Sequence, residues 1–119
     1  MPYTLQNFKA EFFKALAHPV RIRILEVLRE GEKNVTEIQA LLELDQSSVS
    51  QQLSVLRGKD LLQTRKSGTT IFYSARDPMI FDLLDIARSI FNNQLIGTQE
   101  LLSQLGNERL PAADYNPIR

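Results

Sequence analysis

The stretch of residues 46–56 constrains the fold more than any other part of the chain. Its apolar residues Val49, Leu53 and Leu56 recur at the spacing of one face of an α-helix. Its other positions are mostly small hydroxyls and carboxamides, and it carries no charged residue. Ser and Gln side chains can hydrogen-bond to base edges in a DNA groove without a charge to desolvate. We therefore predict a short amphipathic helix of the kind that reads DNA in a helix-turn-helix.

A second short helix is predicted immediately before this one. Thr36 is followed three residues later by Gln39, which is the pattern of a capping box at a helix N-terminus. This helix would run to Leu42, and Asp45 would cap the next helix after a tight turn. Two short helices separated by about three residues are the signature of a helix-turn-helix.

A basic β-hairpin is predicted directly after the helix-turn-helix. Residues 61–65 and 70–74 have the composition of strands, and Gly68 lies in the turn between them. From Arg57 to Arg76 the chain has five basic residues and one acidic residue, although its total net charge is zero. A basic hairpin in this place is typical of a wing that contacts DNA phosphates. A solvated surface cluster is the alternative.

Three further helices complete the predicted fold. Apolar residues at helical spacing indicate a first helix over residues 5–16 and a second helix that starts at Pro19. After Asp77 a long apolar pattern runs to Gly106, as one helix or as two helices divided near Gly97. The expected fold class is mainly α with a small β-hairpin, a winged helix-turn-helix in the order α-α-α-α-β-β-α.

The first and last helices suggest how the molecule assembles. Both are apolar enough to need a partner, and a small domain cannot bury both against itself. A symmetric homodimer through these helices would cover them and place two recognition helices in successive major grooves, about 34–36 Å apart. We therefore expect residues 1–106 to form one DNA-binding and dimerisation domain, followed by an extended or disordered tail over residues 107–119.

Composition argues against several other functions. The chain has no cysteine, which excludes disulfides, thiolate metal sites and thiol redox sensing. His18 is its only histidine, and it has no Gly-rich phosphate loop or nucleophile elbow, so nothing supports an enzyme. No apolar stretch reaches transmembrane length, and the N-terminus lacks the pattern of a signal peptide. We expect a cytoplasmic protein without a membrane partner.

Three segments together resemble a known family. Residues 13–25 resemble the opening motif of the ArsR/SmtB family of bacterial winged-helix repressors, residues 47–57 its recognition helix, and residues 65–73 its wing. The resemblance covers roughly residues 8–92, in the right order and spacing. It implies a homodimeric repressor that binds a palindromic operator in double-stranded DNA and releases it when an inducer arrives.

The resemblance also implies which residues contact DNA. Gln52 stands where the family often has His, and Val49 matches a base-facing position but is explained as well by a place in the core. Arg57 would cap the recognition helix, pair with a phosphate or lie in solvent, and the wing residues would contact phosphates or the minor groove. The residues assigned to DNA binding are Gln46, Ser47, Ser48, Ser50, Gln51, Gln52, Ser54, Arg57, Arg65, Lys66, Thr69 and Thr70.

The sequence departs from the family at its metal sites. One family site uses cysteines in the helix before the recognition helix, and another uses Asp and His on the last helix. Here Asp82 and Asp85 are present on the last helix, but no His follows His18. Zinc, nickel and copper prefer imidazole or thiolate donors, so we expect no metal and no cofactor. The inducer is then an organic ligand, a partner protein or nothing.

Two readings stay open at this point. An apolar pocket near Phe8, Phe12 and Phe91 would take a small-molecule inducer, although aromatic residues at helical spacing are more often core. The zero net charge also leaves room for a winged-helix module that contacts proteins and has little sequence-specific DNA binding. Replacing Arg65 and Lys66 by Ala should separate that module from a DNA-binding regulator.

Overall fold

Five helices and three strands make up residues 4–104, the part of the chain that the computed structural model describes. The elements are α1 (Leu5–Leu16), α2 (Pro19–Leu28), β1 (Lys33–Asn34), α3 (Val35–Leu42), α4 (Gln46–Gly58), β2 (Leu62–Ser67), β3 (Thr70–Ala75) and α5 (Met79–Gln104). The chain divides into two compact units after Phe81. The predicted winged helix-turn-helix is confirmed, with β1 as an additional strand.

Side chains that precede the first two helices supply their N-caps. Thr4 Oγ1 accepts a hydrogen bond from Asn7 N at 3.1 Å and begins α1. His18 Nδ1 accepts one from Val20 N at 3.1 Å and begins α2. Pro19 occupies the first position of α2, where a missing N–H costs no intrahelical hydrogen bond. The single imidazole of the chain is therefore used to cap a helix.

The start of α3 differs from the prediction. Asn34 is the N-cap: its side chain accepts from Glu37 N at 2.9 Å, and the Glu37 carboxylate accepts from Asn34 N at 3.0 Å. The predicted capping box of Thr36 and Gln39 is wrong by two residues. Asn is at least as good an N-cap as Thr, and Glu37 stands at the required third position only when the helix begins after Asn34.

The wing belongs to a three-stranded antiparallel sheet in the order β1-β3-β2. β2 and β3 pair along their whole lengths and are joined by a two-residue turn, Gly68-Thr69. Gly68 has a φ of 63°, which glycine adopts without the steric penalty that a Cβ brings. The sequence did not predict β1, because two residues are too few to show the alternation of a strand.

The apolar face of α4 is buried in a core shared with α2, α3 and β2. The large side chains that are fully buried are Ile24, Leu25, Ile38, Val49, Leu53, Leu56 and Leu62. Val49 is 0% exposed, so it is a core residue and its base-facing alternative is wrong. Because this face of α4 is fixed against the core, the opposite face is held toward solvent.

The last helix is continuous through Gly97 to Gln104. Thr98 Oγ1 donates to Gln94 O at 2.9 Å, so this hydroxyl bonds back to its own helix instead of capping a new one. The predicted helix end at Gly106 and the tail over residues 107–119 lie outside the described residues. Within residues 4–104, no helix has both the length and the apolar character needed to span a bilayer.

Candidate nucleic-acid interface

The recognition helix α4 begins at the predicted N-cap, Asp45. The Asp45 carboxylate accepts from Ser48 N at 3.0 Å, from Ser47 Oγ at 2.6 Å and from Ser48 Oγ at 2.7 Å. Hydrogen bonds from Ser47 and then Ser48 hold the pKa of Asp45 well below its usual range. Since both hydroxyl protons point to Asp45, Ser47 and Ser48 retain acceptor lone pairs that can receive a hydrogen bond from a base amino group.

The polar face of α4 is presented to solvent. Ser47, Gln51 and Ser54 are exposed and Ser50 is half-buried, and these four residues share one face at helical spacing. Gln46 is exposed at the first position of the helix. Within residues 4–104, the side chains of Ser50, Gln51 and Ser54 have no hydrogen-bond partner, so their donors and acceptors are available for an external partner.

Gln52 is in a different position from its neighbours. Its Oε1 accepts a hydrogen bond from Arg21 Nε at 2.9 Å, and Gln52 is half-buried. The Arg21 guanidinium also donates to the carbonyls of Lys14 and Ala15 at the end of α1. This role of Arg21 could not be predicted from the sequence, because Arg21 lies 31 residues before Gln52 and Arg is common on helix surfaces.

The turn between α3 and α4 is held by a second arginine that the sequence did not indicate. Arg23 Nη2 donates to Leu42 O at 2.9 Å, which satisfies a carbonyl at the C-terminal end of α3. Glu43 follows in the left-handed conformation, with a φ of 56°. The helix-turn-helix is therefore fixed at its turn by α2, and α4 is oriented by the core and this anchor together.

In the wing, Arg65 is engaged by an acidic residue. Its guanidinium donates to both oxygens of the Glu32 carboxylate, with Nε at 3.1 Å from each, and lies 4.8 Å above the Phe72 ring. The hydrogen bond and charge of Arg65 lower the pKa of Glu32, while Glu32 raises the pKa of Arg65. The pair connects β2 to the residue before β1, across β3.

The remaining wing residues are accessible. Lys66 and Thr69 are exposed and Thr70 is half-buried at the start of β3. Arg76 is paired with Asp60 at 3.1 Å. Two of the five cations between residues 57 and 76 are therefore neutralised within the protein. In the described part of the chain, the side chains of the other three have no partner: Arg57, Lys59 and Lys66.

The described residues hold no cluster of three or more His, Cys, Asp or Glu side chains placed to bind a metal ion. A groove of about 540 Å³ lies between α1 and the end of α4, and it is lined partly by the predicted aromatic residues Phe8 and Phe12. Phe91, the third residue predicted for a pocket, belongs to the second compact unit. Phe8 is exposed and Phe12 is half-buried, so these two side chains line an open groove and not a closed core.

The helix-turn-helix, the exposed uncharged face of α4 and the adjoining hairpin define a winged-helix protein of the DNA-binding class. Residues 18–64 match the family described as bacterial regulatory protein, arsR family. The HTH-type transcriptional regulator Rv0081 of Mycobacterium tuberculosis is 42% identical over 102 residues, which cover 85% of this chain and 90% of that protein. Its crystal structure matches with a TM-score of 0.73 at 43% identity, over 79% of this chain and 95% of that one.

Two repressors are also similar to this chain. PagR of Bacillus anthracis is 38% identical over 82 residues, or 68% of this chain and 82% of that protein. The crystal structure of BigR from Xylella fastidiosa matches with a TM-score of 0.67 at 35% identity, over 72% of this chain and 88% of that one. The chain belongs to the ArsR family of bacterial regulatory proteins. It is a transcriptional regulator and not an enzyme.

Proposed function

We propose that this protein is a homodimeric repressor that binds a palindromic operator, with α4 in the major groove and the wing on the adjacent backbone. The uncharged exposed face of α4 carries the proposal, because it offers hydrogen-bonding groups where a solvated helix would carry Lys and Glu. The relatives PagR and BigR are named as repressors, which supports repression over activation. Such a protein acts on DNA in the bacterial cytoplasm.

The proposed DNA contacts divide into two groups. Gln46, Ser47, Ser50, Gln51 and Ser54 lie on the accessible side of α4 and would contact base edges. Ser48 and Gln52 are half-buried, and Gln52 is also held by Arg21, so they would contribute less to base contacts. The backbone contacts would come from Arg57, Arg65, Lys66, Thr69 and Thr70.

Exposed apolar side chains on α1 and α5 support a dimer. Phe8 is 62% exposed and Phe13 56% exposed on α1, and Ile86 and Ile90 are more than half exposed on α5. Apolar surface of this extent on two helices is typical of a protein interface. A two-fold dimer through both helices would bury it and match the symmetry of a palindromic operator.

The inducer, if there is one, is proposed to be something other than a transition metal. The chain has no cysteine, and its single histidine uses Nδ1 to cap α2. Asp82 and Asp85 alone are weak ligands for zinc, nickel or copper, which prefer nitrogen and sulfur donors. An organic ligand or a partner protein would then relieve repression.

Selection from a pool of randomised DNA duplexes tests this function. The purified protein should enrich a duplex with two inverted half-sites whose centres lie about 10 base pairs apart. No enrichment of any sequence, with weak binding that is equal for all duplexes, would contradict the proposal. That result would favour the alternative, a winged-helix module that contacts proteins, which the zero net charge of the chain also allows.

A further inference from the structure

We propose that Arg21 is a positioning residue that links the recognition helix α4 to the end of α1 by hydrogen bonds. Gln52 accepts one of these bonds and does not read bases. The proposal rests on the proposed function, since it assigns roles within the same DNA-binding site. Gln52 is thereby removed from the residues expected to read bases. Arg21 of α2 is added to the site as a residue that supports α4 without touching DNA.

The contacts of Arg21 carry the argument. Arg21 Nε donates to Gln52 Oε1 at 2.9 Å, and Nη1 donates to Lys14 O at 3.3 Å and Ala15 O at 3.2 Å. The two carbonyls lie in the last turn of α1, where a helix has unsatisfied acceptors and the negative end of its dipole. One guanidinium therefore holds the C-terminal end of α1 and the middle of α4 at the same time.

The position of Gln52 fits this role better than base reading. It directly precedes the buried Leu53 and is half-buried, whereas Gln51 on the neighbouring position is exposed. To reach a base with its carbonyl oxygen, Gln52 would leave the Arg21 Nε–H without its partner. A hydrogen bond to a charged group is among the stronger ones in a folded protein, so this exchange is unfavourable.

Binding to the selected duplex, to single-base variants of it and to an unrelated duplex separates positioning from base reading. Arg21→Ala and Gln52→Ala should each weaken binding to the selected duplex by about five-fold, the effect of one such hydrogen bond partly transmitted to α4. The double variant should bind no more weakly than Arg21→Ala alone, since either substitution breaks the link between α1 and α4. The order of preference among single-base variants should be unchanged in all three.

Gln51→Ala is the matched control, because it truncates the same side chain on the exposed face. It should lose preference at particular base pairs. A Gln52→Ala protein that loses preference at a particular base pair overturns the proposal, and so do effects of Arg21→Ala and Gln52→Ala that multiply. Thermal unfolding of wild type, the two single variants and the double variant reports the bond without DNA: Gln52→Ala should add no further loss of stability in the Arg21→Ala background, which already lacks the bond. If the wild-type protein selects no duplex at all, the proposed function itself fails and this assignment fails with it.

Discussion

Asp45 and its two serines show how single residues set the start of the recognition helix. Two hydroxyls and one backbone N–H converge on one carboxylate, and this arrangement requires only that Asp precede Ser-Ser at the correct spacing. The N-cap was predicted correctly from the sequence because the contact is local. The ionised form of Asp45 accepts all three hydrogen bonds, so its contribution to stability depends on pH.

Replacing Asp45 by Ala should lower the melting temperature at neutral pH, because the first turn of α4 loses its cap. The Asp45 pKa is depressed in the folded protein, so its stabilisation is present above the unfolded pKa of about 3.9 and is lost as pH falls through the lower folded value. The difference between wild type and Asp45→Ala should therefore shrink in strong acid. Asp45→Asn keeps a capping oxygen and is the control. Equal melting temperatures of wild type and Asp45→Ala at pH 7 would contradict this account.

Two long-range contacts could not be predicted at this scale. Arg21 and Gln52 are 31 residues apart, and Arg65 and Glu32 are 33 residues apart. Their spacing carries no periodicity, and each residue alone is ordinary on a protein surface. Arg65 was predicted as a phosphate contact from the charge of the wing, and the sequence could not indicate that Glu32 lies against it.

At the scale of elements, the helices and the hairpin follow from local patterns, whereas β1 and the start of α3 do not. Apolar spacing, caps and Gly68 were sufficient for α1, α2, α4 and the wing. β1 consists of two residues and exists because it pairs with the outer edge of β3. Its last residue, Asn34, is also the N-cap of α3, so that helix begins two residues earlier in the chain than predicted.

Glu32 should oppose DNA binding through the wing. Glu32→Gln removes a negative charge and leaves Arg65 available, so binding should tighten for all sequences alike. Lys66→Ala should weaken binding for all sequences and reduce the slope of log affinity against log salt by about 1, the value for one phosphate contact. Fluorescence anisotropy over a salt series measures both. Weaker binding by Glu32→Gln would instead show that the pair serves to hold the wing in place.

The turn of the wing depends on the left-handed conformation of Gly68. Gly68→Val should destabilise the protein by about 1–2 kcal/mol, the cost of a Cβ in this region. Its DNA binding should weaken, since the hairpin carries Lys66 and Thr69. Gly68→Asn is the control, because Asn tolerates positive φ. Urea unfolding and anisotropy report the two effects, and a Val variant as stable as wild type would contradict the assigned turn.

At the scale of the whole molecule, the apolar faces of α1 and α5 were predicted from the sequence, and the structure shows them exposed. The sequence could indicate these faces because helical periodicity is preserved along each helix. Their covering by a second copy is a proposal that follows from their extent. A palindromic operator is the DNA counterpart of that symmetry.

The dimer proposal predicts that Ile90→Glu lowers the oligomeric state. Ile90 is 51% exposed, and a charge there would be desolvated in the interface. Asn92→Glu adds the same charge about 160° further round α5 by helical spacing and is the control. Sedimentation equilibrium should give twice the 13.6 kDa chain mass for wild type and Asn92→Glu, and a smaller value for Ile90→Glu. A wild-type protein that sediments as a monomer at micromolar concentration would contradict the proposal.

The central claim is that the uncharged face of α4 reads DNA sequence while the cations around it supply affinity. The most direct measurement compares Ser50→Ala/Gln51→Ala with wild type, on the selected duplex and on a scrambled duplex of the same length and composition. We expect the double variant to lose at least about ten-fold in preference for the selected duplex, since each good base contact contributes about 1–3 kcal/mol. Its affinity for the scrambled duplex should stay unchanged. An undiminished preference, or an equal loss on both duplexes, would contradict the claim.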